Sequence, residues 1–98
     1  MFKQTGLNDR LITEIQSLAK QYKLEKLILF GSRARGDYKQ RSDIDLAATG
    51  GDVLRFALDT DELYTLLKFN VVNLDGVVQQ ELLDAIKTEG VVLYEKYE

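Results

Sequence analysis

The feature that most constrains the fold is a fully apolar run at residues 27–30 (LILF) that stops abruptly at Gly31-Ser32. A strand that is apolar on both faces is typical of the centre of a sheet that is covered on both sides. A chain of 98 residues, 45% of them apolar, has room for one such core. We therefore expect a single domain over residues 1–98, built around this buried central strand.

The segments around the central strand alternate between helical and extended patterns. Leu11, Ile15, Leu18 and Tyr22 recur at helical spacing, which predicts a helix from Asn8 to about residue 22. The order of helical and extended segments along the chain predicts a compact sheet with helices packed on it. Strands are expected at residues 24–30, 43–48, 69–74 and 91–94, and helices within 33–42, at 53–67 with a break around 58–60, and at 79–88 with Gly90 as C-cap.

Composition excludes several classes of function. The chain contains neither cysteine nor histidine, so disulfides, thiolate or imidazole metal sites and a histidine general base are excluded. Catalysis would have to use carboxylates, hydroxyls, lysine, arginine or a metal held by oxygen ligands. The apolar runs are too short to span a membrane and no apolar signal segment occurs, so we expect a cytoplasmic protein with no membrane partner. A net charge of −3 disfavours nucleic acid as a partner.

The residues suited to chemistry are concentrated at positions 30–47, FGSRARGDYKQRSDIDLA. Gly31 allows close backbone approach, Ser32 adds a hydroxyl, and the amides of a new helix point outward, a pattern typical of a phosphate cradle. Residues 33–41 hold four cations and one acid, leaving nine cations and fifteen acids elsewhere. A local cationic patch on an acidic chain favours a specific anion over a long polyanion.

A pair of aspartates follows this patch. Asp43 and Asp45 are two residues apart on a predicted strand, so both side chains should lie on one face, opposite Ser42 and Ile44. Adjacent carboxylates repel each other, and a divalent cation such as Mg²⁺ relieves the repulsion while also binding phosphate oxygens. Each part alone has a structural explanation, as a turn, a solvated edge or a solvated loop. The ordered combination indicates metal-assisted phosphoryl or nucleotidyl transfer.

Gly31-Ser32, ten intervening residues and Asp43-Ile44-Asp45 resemble the signature of the DNA polymerase β-like nucleotidyltransferase superfamily. The fuller run GSRARG…SDIDLA resembles its small prokaryotic branch, the minimal nucleotidyltransferases. The resemblance implies an α/β (α+β) nucleotidyltransferase fold, with a small mixed central sheet and helices packed on it. It also implies that a nucleoside triphosphate, with ATP favoured, binds with Mg²⁺ at a two-metal site, and that a hydroxyl attacks the α-phosphorus and releases pyrophosphate.

The resemblance also assigns residues. Asp43 and Asp45 would bind the metals, and Gly31 and Ser32 would hold the triphosphate. The remaining candidate nucleotide-binding residues are Arg33, Arg35 and Ser42.

Minimal members of the superfamily resemble the antitoxins of two-gene modules. Their partner is an all-helical HEPN-type toxin, and active antitoxins attach AMP to one of its tyrosines. Since this chain has little room for an acceptor-binding domain, the acceptor surface should come from a partner or from a homodimer. Exposed apolar residues in 53–69, or Tyr94 and Tyr97, are candidates for contacting that partner.

The sequence departs from the family at the third carboxylate. The matching stretch is residues 69–72 (FNVV), where Asn70 stands in place of the acid. Asp75 would lie on the opposite strand face, about 16 Å away at the rise of a strand, so it is a poor substitute. An asparagine oxygen can ligate Mg²⁺ but brings no charge. We expect Mg-nucleotide binding to survive with a weakened second metal site, and transfer to be slowed or lost.

Three functions remain open on the sequence alone. The first is AMP transfer to a partner protein by an antitoxin. The second is a catalytically weakened, nucleotide-binding antitoxin that acts by contact. The third is nucleotidyl transfer to a small molecule or, less favoured by the net charge, to an RNA end.

Overall fold

The fold is a mixed sheet with helices on both faces, seen in a computed structural model that describes residues 2–96. Its four strands within that range are β1 (Lys26–Phe30), β2 (Ile44–Thr49), β3 (Phe69–Asn73) and β4 (Val91–Glu95). They lie in the order β3-β2-β1-β4. β1 is antiparallel to both β2 and β4, whereas β2 and β3 are parallel. The predicted mixed sheet with a central, apolar β1 is therefore confirmed.

A short 3-10 turn (Lys3–Thr5) precedes the helices α1 (Asp9–Gln21), α2 (Ser32–Arg35), α3 (Val53–Thr60) and α4 (Gln80–Glu89). α1 begins where the sequence predicts, because Oδ1 of Asn8 accepts a hydrogen bond from the backbone N–H of Leu11 at 2.8 Å. Asp52 caps α3 in the same way, accepting from the N–H of Arg55 at 3.1 Å. No helix within residues 2–96 has the length and apolarity that crossing a membrane requires.

The two faces of the sheet carry separate apolar clusters. α1 and α3 cover one face, where their buried residues pack against alternate residues of all four strands. α4 covers part of the other face, where Ile86 packs with Phe30 of β1 and Ala47 of β2. The end of this second face beyond Phe30 and Ala47 carries polar residues, and it is there that the site described below lies.

α3 ends at Thr60, at the break predicted around 58–60, so the helix predicted to continue to residue 67 is too long. The hydroxyl of Thr60 donates to the carbonyl of Ala57 at 2.7 Å, a local bond that competes with continued helix. In the turns that follow, Leu63 and Leu67 pack against the core while Tyr64 and Leu66 are exposed. The apolar spacing of residues 61–68 thus reflects two anchoring contacts and not a further turn of helix.

Gly90 ends α4 as predicted, but its backbone is extended, at φ −66° and ψ 143°, and not left-handed. A Cβ atom there would lie 2.3 Å from the carbonyl oxygen of Ile86 and 2.6 Å from a methyl carbon of Ile28. The glycine is required because α4 approaches β1 closely as the chain turns into β4.

Candidate functional site

Asp43, Asp45 and Asn70 lie together at one end of the β2–β3 pair. Asp45 and Asn70 are partners in the parallel register, and Asp43 immediately precedes β2. Nδ2 of Asn70 donates to Oδ2 of Asp43 and to Oδ1 of Asp45, each at 3.0 Å. Since one amide nitrogen reaches both carboxylates, the two aspartates face the same side, in agreement with their spacing.

The Asn70 amide compensates part of the negative charge of this pair. Its two N–H groups lie between carboxylates that would otherwise repel each other. Within residues 2–96, no third acid joins them in a group that could hold a metal. Asp75 is engaged elsewhere, since it accepts from the hydroxyl of Thr49 at 2.5 Å and from the N–H of Gly50 at 2.8 Å, beyond the other end of β2.

Gly31 and Ser32 form the turn that joins β1 to α2, beside Asp45. Phe30 is the register partner of Asp45, which brings the turn next to the carboxylate. Gly31 has φ +77°, and a Cβ atom there would lie 2.4 Å from Oδ2 of Asp45. Glycine is therefore required both by the backbone conformation and by the close approach. The N–H groups of Ala34 and Arg35 donate to the Gly31 carbonyl at 3.1 and 3.0 Å, and the first two amides of α2, those of Ser32 and Arg33, have no acceptor inside the helix.

The structure places Arg33 inside the protein. Only 2% of Arg33 is exposed, and its guanidinium donates to backbone carbonyls of the N-terminal turn and of the loop at residues 36–43, as detailed below. Burial lowers the pKa of Arg33, although a guanidinium stays protonated at any physiological pH. Contact between Arg33 and a nucleotide stays a prediction.

Arg35 and Ser42 are also engaged by the chain. Nη1 of Arg35 donates to both carboxylate oxygens of Glu89 in α4, at 3.1 and 3.2 Å, and Nε donates to Asp37 at 3.3 Å. These bonds, that to Glu89 above all, raise the pKa of Arg35. The hydroxyl of Ser42 accepts from the N–H of Lys39 at 2.7 Å and so closes the loop. The assignment of both residues to the nucleotide is likewise untested.

Comparison with known families identifies the family of the chain. The family model described as polymerase beta, nucleotidyltransferase matches residues 13–98. The chain belongs to this nucleotidyltransferase family.

Relatives of this nucleotidyltransferase include a protein from Methanocaldococcus jannaschii that is named as a candidate protein adenylyltransferase. It is 38% identical over 71 residues, which are 70% of this chain and 69% of that protein. A crystal structure of a toxin–antitoxin pair with AMP-PNP matches with a TM-score of 0.71 and 26% identity, covering 92% of this chain and 75% of that chain. A mutant of the MntA–HpeT toxin–antitoxin pair matches with a TM-score of 0.70 and 26% identity, over 92% and 74% of the two chains.

The polar side chains of the nucleotidyltransferase fit a hard divalent cation. Such cations prefer oxygen ligands, and Asp43 and Asp45 supply carboxylates that already converge within 3.0 Å of one atom. Rotation of the Asn70 amide by half a turn would present its Oδ1 in place of Nδ2. The donor set therefore suits Mg²⁺, with one neutral ligand where a three-carboxylate site would have a charge.

Some residues around the site carry no signal in the sequence. The ring of Tyr38 lies under the guanidinium of Arg33, with the Arg33 Cζ atom 4.8 Å from the ring centroid. The Thr5 carbonyl is 28 residues away from Arg33 along the chain. Sequence reasoning missed both. A contact to the Thr5 carbonyl depends on no particular side chain at that position, and nothing in the sequence indicated that the ring of Tyr38 packs on Arg33.

Proposed function

We propose that this nucleotidyltransferase binds a nucleoside triphosphate, with ATP favoured, together with Mg²⁺, and transfers AMP to a hydroxyl of a partner protein as the antitoxin of a HEPN-type toxin. The observation that carries the proposal is the convergence of Asp43 and Asp45 on one atom, directly beside the Gly31-Ser32 turn. The relative named for protein adenylyl transfer and the toxin–antitoxin neighbours support the choice of acceptor and partner.

Each residue has a role that its position supports. Asp43 and Asp45 would hold Mg²⁺, which, when bound, neutralises phosphate charge and increases the acidity of the acceptor hydroxyl. The Gly31-Ser32 turn would hold the triphosphate beside Asp45, and Ser32 can donate its hydroxyl to a phosphate oxygen. The acceptor oxygen bonds to the α-phosphorus, and the bond from that phosphorus to the bridging oxygen of pyrophosphate breaks. The hydroxyl proton must go to a carboxylate or to water, since the chain has no histidine.

Asn70 supports a second candidate, a nucleotide-binding antitoxin that neutralises its toxin by contact. Asn70 is neutral, so the site has one negative charge fewer than a site with three carboxylates. Less charge means weaker binding of a second cation and slower transfer.

A contact role also needs an exposed surface. Leu54 and Leu58 on α3, and Tyr64 and Leu66 after it, are 60% to 103% exposed. They are the exposed large apolar residues of the 53–69 segment, and so the ones available for apolar contact with a partner. Tyr94 packs partly against the core, and Tyr97 lies outside the described residues.

The test combines binding and transfer. Calorimetry would measure Mg²⁺-dependent ATP binding, and α-phosphate-labelled ATP would report transfer to a purified toxin partner or, failing that, to proteins of the host lysate. The variants are Asp43→Ala and Asn70→Asp. The matched control is Asp61→Ala, which removes an exposed aspartate at the end of α3.

The outcomes separate the two candidates. Label on one protein band with the native chain and with Asp61→Ala, but not with Asp43→Ala, supports the transferase. Label with Asn70→Asp alone, together with toxin binding that survives Asp43→Ala, supports the contact antitoxin. If the native chain binds no ATP in the presence of Mg²⁺, both proposals are wrong.

A further inference from the structure

Arg33 is the one buried charged side chain within residues 2–96, and the mechanism proposed above gives it no task. Burying a guanidinium is unfavourable unless its N–H groups are paired. A chain of this size has a small stability margin, so a buried arginine must be well compensated by its surroundings.

The compensation comes from three carbonyl oxygens and an aromatic ring. Nε donates to the Ser42 carbonyl at 3.0 Å, Nη1 to the Thr5 carbonyl at 2.9 Å and Nη2 to the Gln40 carbonyl at 3.2 Å. Tyr38 stacks beneath the guanidinium at 4.8 Å. A planar fork of donors can reach three acceptors at once, whereas the compact ammonium of lysine cannot do so in the same plane.

The Ser42 carbonyl leads directly to the site, since it belongs to the peptide group between Ser42 and Asp43. The β2–β3 register begins at Ile44, so Asp43 lies before the ladder that fixes Asp45. Two hydrogen bonds flank Asp43: that from Arg33 to the Ser42 carbonyl, and that from the N–H of Ile44 to the carbonyl of Lys68 at 2.8 Å. Of these two hydrogen bonds, only the one from Arg33 links Asp43 to the Gly31-Ser32 turn, because Arg33 follows Ser32 in α2.

We propose that Arg33 is a positioning residue: it sets the place of the Asp43 carboxylate relative to the Gly31-Ser32 turn, and it acts through backbone carbonyls without touching the nucleotide. The inference rests on the proposed nucleotide site and deepens it. It gives Arg33 a different role from the phosphate contact that the cationic run suggests. It also gives the N-terminal turn a function, since the Thr5 carbonyl completes the set of acceptors.

The first test needs no ligand. The side-chain amide of Asn70 donates to Asp43, so its two proton resonances report where that carboxylate lies. Nuclear magnetic resonance spectra would be compared for the native chain, Arg33→Lys and a matched control, Arg10→Lys, whose arginine is 85% exposed on α1. The Asn70→Ala variant identifies the resonances.

We expect the Asn70 side-chain resonances and the Asp43 backbone amide to move in Arg33→Lys and to stay in place in Arg10→Lys. The resonances of the β1 and β4 amides should stay in place, because the change is local to the site. A loss of stability alone would not shift the resonances of the folded chain, so the shifts at Asn70 and Asp43 would report a change of position. Unchanged Asn70 and Asp43 resonances in a folded Arg33→Lys chain would overturn the proposal.

The second test separates positioning from phosphate contact. Loss of a supporting partner of a metal ligand typically weakens binding ~10–100-fold, and we expect this loss for Mg²⁺-dependent ATP binding to Arg33→Lys. Lysine keeps the charge, so a direct phosphate contact would be largely retained. Native affinity in Arg33→Lys therefore argues against positioning. If the native chain binds no ATP, the proposed function fails, yet the ligand-free spectra still decide the role of Arg33.

A milder variant covers the case in which Arg33→Lys does not fold. Tyr38→Leu removes the ring beneath the guanidinium but leaves the three carbonyl acceptors in place. The resonances of Asn70 and Asp43 should shift in the same sense by a smaller amount. Native positions for both in the folded Tyr38→Leu chain would count against the proposal.

Discussion

Gly31 and Asp45 approach so closely that a Cβ atom at position 31 would lie 2.4 Å from Oδ2 of the aspartate. Position 31 also has φ +77° and ψ −159°, a backbone region almost restricted to glycine, where other residues are strained by about 1–3 kcal/mol. Gly31→Ala should therefore lower the melting temperature and, by displacing Asp45, abolish Mg²⁺-dependent ATP binding. Thermal unfolding and calorimetry would measure the two effects.

Gly36→Ala is the matched control for this change. Gly36 has φ +93° but a Cβ atom there would meet nothing within 4 Å. Gly36→Ala carries a cost for its positive φ without the collision, so it should lose stability yet keep the Asp45 carboxylate in place. Equal loss of ATP binding in both variants would show that the contact with Asp45 is not what matters.

Replacing the neutral amide of the site should make stability depend on a cation. Asn70→Asp removes the two hydrogen bonds to Asp43 and Asp45 and adds a third carboxylate beside them. Without divalent cation the variant should melt below the native chain. With Mg²⁺ it should gain more than the native chain does, because binding to the folded state adds RT ln(1 + [L]/Kd).

A titration of melting temperature against Mg²⁺ measures this gain. Asn73→Asp is the control, since it adds the same charge to the same strand at an exposed position away from the aspartate pair. A Mg²⁺ response no larger in Asn70→Asp than in Asn73→Asp would mean that position 70 is not part of a cation site.

The helix cap at Asn8 should matter for stability alone. Asn8→Ala removes the acceptor of the Leu11 N–H, which typically costs about 1 kcal/mol. For a domain of this size that corresponds to a fall in melting temperature of roughly 4–8 °C. Thr13→Ala, at an exposed position inside α1, should cause no such fall. A fall of the same size in both variants would contradict the cap assignment.

Tyr22 should make stability sensitive to alkaline pH. Its hydroxyl donates to the Asp59 carboxylate, and this hydrogen bond is the main cause of a raised pKa of Tyr22. Because the pKa is higher in the folded than in the unfolded chain, the stabilisation is complete below about pH 10 and is lost as pH rises through the folded value.

Tyr22→Phe should therefore be less stable than the native chain at neutral pH and should lose less stability above pH ~10. Urea unfolding at a series of pH values would show this. Asp59→Ala offers a second route to the same result, since it removes both the acceptor of the Tyr22 hydrogen bond and the charge that also raises the pKa of Tyr22. If the free energy of unfolding fell with pH in parallel for the native chain and both variants, the Tyr22–Asp59 hydrogen bond would not be the cause of the loss of stability at alkaline pH.

Local pattern was enough to predict the sheet and the aspartate pair. An apolar run with no polar face can only be central, which placed β1, and strand alternation placed Asp43 and Asp45 on one side. Position 70 was recognised through the resemblance, and the register of β2 with β3 brings Asn70 to Asp45.

What the pattern could not predict depends on contacts between distant segments. The guanidinium of Arg33 binds carbonyls 7, 9 and 28 residues away, and nothing in a run of cations distinguishes a buried arginine from a solvated one. The length of α3 was overestimated for a similar reason. Leu63 and Leu67 keep helical spacing but reach the core from turns.

The order of strands has a consequence for how the site comes apart. Asp45 belongs to β2, which is paired on both sides, whereas Asn70 belongs to β3, an edge strand that pairs only with β2 among the strands of residues 2–96. Edge elements open locally at lower free energy than the centre of a sheet. The Asp45 carboxylate thus lies on the slowly exchanging part of the molecule, and the amide that neutralises it lies on the faster one. Hydrogen exchange should find the amides of β3 opening before those of β1 and β2, which would expose the charge pair while the centre of the sheet stays folded.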